Sequence, residues 1–196
     1  MVRPENFADH FDWAKLAFLS GLTSDDWAYH PMYFARSPDR SFPCRYASFL
    51  GVHLVDGDIW DRNEVVGTTK NCPDHILLDP DKGIGGRNSE RITIGELAKI
   101  TGASPVRADK LILIYNQSID RWYDQRGDPD VQIRYKLAQL YCDYEVHGNA
   151  YVSSLLSFVW VSKNQNTVTN ATRRLLDRSG LPSWRLVSDG CCHIPS

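Results

Sequence analysis

Apolar residues near the start of the chain recur at helical spacing. Phe7, Phe11, Ala14 and Phe18 lie at i, i+4, i+7 and i+11, which predicts an amphipathic helix ending near Gly21. Ser24 followed by Asp25 and Asp26 has the form of a second helix start, with the acids placed in the first turn. Prolines 31, 38 and 43 then impose an irregular connection. Residues 46–59 are mainly apolar up to Asp56, Gly57 and Asp58, as in a helix or strand that ends in an Asp-Gly turn. Residues 64–67 and 75–78 have the composition of short strands, and the run DPDKGIGG at 79–86 reads as a glycine-rich turn without the ending of a P-loop. Asp128 and Pro129 supply an N-cap and first-position pair for a helix through Leu137, Leu140, Tyr141 and Tyr144 toward Gly148. Residues 150–161 are apolar with a period that leaves helix and strand both open, and TRRLLDRSG predicts a helix closed by Gly180.

Start signals, stop signals and spacing agree best at 92–115. Thr93 and Glu96 form a capping box, Ile92 and Leu97 are spaced as a hydrophobic staple, and Gly102 ends the helix. Ser104 and Pro105 then restart one, with Ala108, Leu111, Ile112, Tyr115, Ile119 and Trp122 near helical spacing. The unbroken run 111–115 has a second reading, a buried parallel strand after a helix. On the helical reading, the alanine of the first helix, the glycine four residues later and the apolar positions of the second helix resemble the helix-turn-helix of bacterial regulators. That resemblance is confined to this motif. It implies duplex DNA as partner, with Ser104 and backbone N–H groups on phosphate, Arg107 and Lys110 directed outward, and a homodimer reading two half-sites.

Composition bounds these readings. The chain has 196 residues, 42% hydrophobic and 23% charged, as in ordinary globular proteins. The expected fold is mixed α/β (α+β), predominantly helical, with a central helix-turn-helix-like unit. One domain over 1–196 is expected, subdivided at most into an aromatic-rich part (1–88) and a helical part (89–196). A net charge of −2 and a pI near 6.3 lack the basic character of many nucleic-acid binders. Any phosphate-facing surface must therefore be local, and Arg173, Arg174 and Arg178, on adjacent turns of one predicted helix, are the candidates. Five cysteines without regular spacing point to a reducing compartment, and the vicinal Cys191 and Cys192 are not spaced to chelate zinc as a pair. Without a signal-type apolar segment or a run approaching ~18 apolar residues, a cytoplasmic protein with no membrane partner is expected.

An enzymatic reading starts from 46–59. The stretch YASFLGVHLVDGDI resembles the core motif of LAGLIDADG endonucleases, although Val55 stands where a small residue is usual. The resemblance implies that Asp56 is the catalytic carboxylate, holding the Mg²⁺ that activates water for phosphodiester cleavage. Outside that alternative no cofactor is expected. Asp74 and His75, followed by glycines 83, 85 and 86 and by Asn88, resemble the opening of an HNH nuclease motif, in which the histidine is the general base. The downstream histidine of that motif is missing, since the next one is His147. A third reading, from another class, is a structural or protein-interaction protein with no nucleic-acid role.

Overall fold

A mixed seven-stranded sheet organises the computed structural model, which describes residues 8–32, 41–80, 83–85, 91–102, 109–116, 128–153 and 157–189. In chain order the elements are α1 (His10–Leu22), β1 (Trp27–His30), α2 (Phe42–Leu50), β2 (His53–Leu54), α3 (Val65–Lys70), β3 (His75–Leu78), α4 (Ile94–Gly102), β4 (Ile112–Asn116), α5 (Pro129–Tyr144), β5 (His147–Val152), β6 (Ser157–Ser162), α6 (Gln165–Ser179) and β7 (Leu186–Ser188). The strand order is β2-β1-β3-β4-β6-β5-β7. Strands β1 to β4 run parallel, β6 is antiparallel between β4 and β5, and β7 lies antiparallel on β5.

Period-2 alternation divides the buried residues between two faces. Ile76, Leu78, Ile112, Ile114, Val159 and Val161 join an aliphatic cluster with Leu97 of α4 and Leu137 of α5. Leu77, Leu111, Leu113, Tyr115, Phe158 and Trp160 join an aromatic-rich cluster with Phe18 of α1, Tyr46 of α2 and Leu175 of α6. A sheet covered on both faces needs strands that are apolar at successive positions, which is how a parallel sheet in an α/β layer fold is recognised.

This arrangement corrects the expected fold class. The protein is α/β but not predominantly helical, and its centre is a sheet rather than a helix-turn-helix-like unit. The capping box is present: Thr93 N–H donates to Glu96 Oε2 at 2.8 Å and Glu96 N–H to Thr93 Oγ1 at 3.1 Å. Ile92 and Leu97, the staple pair, are both fully buried in the same cluster. Beyond α4 the expected second helix is replaced over 112–116 by β4, while 103–108 lie outside the described residues. The physical reason is burial on both sides. Leu111, Leu113 and Tyr115 face one cluster and Ile112 and Ile114 the other, whereas a helix covering a core buries one stripe.

Other local differences have similar causes. Residues 24–26 start no helix but lead into β1, and 64–67, expected as strand, form a 3-10 turn running into α3. The open stretch 150–161 supplies the second half of β5 and most of β6. Helix α5 ends at Tyr144, with Glu145 taking the left-handed C-cap at φ 52°. Gly148 lies inside β5, where a Cβ would stand 2.8 Å from Leu137 Cδ2 and 2.9 Å from Val161 Cγ1. Its role is close packing of helix on sheet, not helix termination.

Candidate functional site

The chain leaves β1 by α2 to reach β2 on one side, then passes through α3 to β3 on the other side of β1. The carboxyl ends of β1 and β3 therefore flank a topological switch point, where open α/β sheets place their ligands. The side chains gathered there are polar and almost wholly buried.

Asp79 directly follows β3 and is 1% exposed. Its backbone N–H donates to His30 O at the end of β1, 3.2 Å away, which fixes it between the two strands. Lys15 of α1, also 1% exposed, reaches Asp79 Oδ2 at 2.7 Å, and Tyr29 OH donates to the same oxygen at 3.4 Å. Asp79 Oδ1 is buried and has no hydrogen-bond partner among the described residues. Lys15 Nζ also donates to Tyr46 OH at 3.1 Å, and Tyr46 OH makes a short hydrogen bond to Asp12 Oδ1. The ammonium lies 4.4 Å from the centroid of the Tyr115 ring, a cation–π contact inside an aromatic wall. Burial pushes the Asp12 carboxyl above its ordinary range, against the hydrogen bond from Tyr46 and the charge of Lys15, which pull it down.

Next to this network the turn after Asp79 is tied to β4. Ile84 N–H donates to Asn116 Oδ1 at 2.8 Å, and Asn116 Nδ2 donates to Ser157 Oγ at 2.8 Å. Gly83 has φ +76°, and a Cβ there would stand 1.9 Å from Asn116 Oδ1. Only glycine combines that backbone with so close an approach. Gly83 and Ile84 are thus held against β4 a few residues beyond a buried carboxylate.

The sequence-predicted candidates lie elsewhere. Lys110 is buried, donating to Thr69 O and Cys72 O at 2.8 Å each, so it closes the end of α3. Ser104 and Arg107 fall outside the described residues. Asp56 is exposed in a bend after β2. Among the described residues, the three ligating side chains that come together are His53, Cys72 and Asp74, without Asp56. His75 is buried at the start of β3, its Nδ1 accepting Leu111 N–H at 2.9 Å and its Nε2 3.4 Å from Asp25 Oδ2. On α6, Arg173 is exposed and donates to Asn170 Oδ1 at 2.9 Å. Arg174 and Arg178 line an open cleft of about 400 Å³ with Asp25, Asp26, Trp27 and His53. That cleft sits by the amino ends of β1 and β2, across the sheet from Asp79.

The Lys15–Asp79 pair escaped sequence reasoning, though two signals existed. Lys15 sits on the apolar stripe of α1, between Phe11 and Phe18 at i+4 and i−3, where a charge is out of place unless paired. Asp79 ends an apolar strand run, which puts a carboxylate at the carboxyl edge of a buried sheet. Comparison with known family models, curated proteins and solved structures finds no match to the chain.

Proposed function

We propose that the protein binds a nucleoside-type ligand over the β1/β3 switch point, at the carboxyl edge of the sheet. The observation that carries this reading is Asp79 Oδ1, a buried carboxylate oxygen without a partner among the described residues. Leaving such an acceptor unsatisfied costs about 1–3 kcal/mol or more, so its retention beside a switch point is accounted for by a ligand N–H or O–H. Lys15 and Tyr29 hold the other oxygen, which fixes the carboxylate's orientation before the ligand arrives. The tyrosines around Lys15 are buried and keep its ammonium out of water, which strengthens its hold on the carboxylate.

The sequence after β1 narrows the ligand. Residues 31–43 contain three prolines and no glycine, so the glycine-rich pyrophosphate cradle of dinucleotide sites has no counterpart there. A nucleoside without a polyphosphate fits better than a dinucleotide. Titration calorimetry of the full chain with S-adenosylmethionine, ATP and NAD⁺ tests this. The phosphate-free ligand is expected to bind most tightly. Asp79→Asn, with its fold checked by circular dichroism, should weaken it roughly ten- to a hundredfold, the cost of a hydrogen bond to a charged group at about 1.5–3 kcal/mol. Equal affinity in the variant, or no binding by wild type, refutes the reading.

Duplex DNA binding by a homodimer is the second reading. Its support is local: Arg173 and Arg178 are exposed on α6. After that helix Trp184 is 74% exposed, with the Arg185 guanidinium 4.7 Å from its ring centroid. Such rings stack on unpaired bases, so Trp184 supports contact with single-stranded nucleic acid only, and the duplex reading rests on the α6 arginines.

A further inference from the structure

We propose that His53, Cys72 and Asp74 form a zinc site that staples the edge strand β2 to the start of β3. The three side chains come from two places in the chain, the first residue of β2 and the turn between α3 and β3. Their ligating atoms all lie within 4.8 Å of one another, and His53 Nε2 is 3.0 Å from Asp74 Oδ2. Ligands around tetrahedral zinc, at about 2.0–2.3 Å from the metal, sit roughly 3–4 Å apart. Small side-chain movements bring this group to that spacing, and the His53 side chain, 54% exposed, has room to make them.

The donor set selects the metal. One thiolate, one imidazole and one carboxylate suit Zn²⁺, whereas Mg²⁺ and Ca²⁺ prefer all-oxygen sites. Zinc's two positive charges balance the thiolate and the carboxylate. One outer contact is in place as well: the Lys110 ammonium donates to the Cys72 carbonyl at 2.8 Å. His53 also lines the open cleft of about 400 Å³, so water can reach the fourth position.

The mechanical need is visible in the sheet. β2 pairs with β1 through two residue pairs only, Ala28 with His53 and Tyr29 with Leu54. So short a ladder holds an edge strand weakly. His53 and Asp74 lie on opposite sides of β1, and a metal between them closes the sheet's amino edge across that strand.

The test uses the untagged full chain in which Cys44, Cys142, Cys191 and Cys192 are replaced by Ser, leaving Cys72 as the single thiol. One equivalent of Zn²⁺ is expected to bind and raise Tm, and Co²⁺ should give a tetrahedral spectrum with a thiolate charge-transfer band. His53→Gln, at an exposed position, should lower zinc affinity at least tenfold without loss of fold, and Cys72→Ser should abolish the band. Absence of the band in the single-thiol chain, or unchanged zinc affinity in His53→Gln, overturns the proposal. If the single-thiol chain does not fold, the wild-type chain is compared with His53→Gln: loss of one bound zinc supports the site and unchanged stoichiometry overturns it.

Discussion

At the scale of single residues, Asp12 makes the buried network sensitive to pH. Because burial raises its pKa, the folded state keeps the Asp12 proton to a higher pH than the unfolded chain does. The stability this proton contributes is complete at low pH and is lost as pH rises through the folded pKa. Asp12→Asn keeps an acceptor for Tyr46 and removes the titration. Relative to wild type, the variant should therefore gain stability as pH increases from about 4 toward neutrality, with a slope of at most about 1.4 kcal/mol per pH unit. Urea unfolding of both proteins across that range measures it, and a difference that does not change with pH contradicts the assignment. The same residues show what a sequence conceals. Lys15 interrupts the apolar stripe of α1, and that irregularity was legible. Its partner, 64 residues away, was not. A helical reading of its neighbours directs Lys110 outward to a base; beside β4 it caps α3 instead.

At the scale of elements, local signals located boundaries better than they decided types. Thr93 and Glu96 marked the start of α4 because a capping box is complete within four residues. The run 111–115 carried no such local arbiter, and β3 and β6 on either side of it decided the matter. Gly148 shows the same dependence: as a letter it looked like the stop of α5, yet in the sheet it makes room for Leu137 and Val161. Gly148→Ala should cost about 1–3 kcal/mol, the usual range for forcing a methyl group into a packed core. Chemical denaturation reads this directly, and a loss below about 0.5 kcal/mol, within the range of surface substitutions, would show that the α5–β5 contact yields easily.

At the scale of the whole molecule, a net charge of −2 confines any nucleic-acid contact to a patch. If α6 presents Arg173, Arg174 and Arg178 to duplex DNA, log K should fall with log salt at a slope of about −3 or shallower. Arg173→Ala should then reduce that slope by about 1. Fluorescence anisotropy at several salt concentrations separates this from a slope unaffected by the substitution, which would remove α6 from the interface. No helix among the described residues is long and apolar enough to cross a membrane. The two edges of the sheet carry different chemistry: the buried Lys15–Asp79 pair at the carboxyl ends of the strands, and the His53, Cys72 and Asp74 group at the amino ends.

What the sequence determined by itself was composition, which denies the chain an overall basic character, and whatever is settled within a few residues: the capping box, the helix closed at Gly180 and the strand at 75–78. The tertiary structure alone decided that 112–116 is a strand, that the fold is a layered sheet, and that Lys15 meets Asp79. The physical reason is common to all three. A short apolar run satisfies its backbone hydrogen bonds equally well in a helix or in a ladder, and a lone charge on an apolar stripe names no partner. Both questions are answered only when distant strands bring burial on two faces and an opposite charge to the same place.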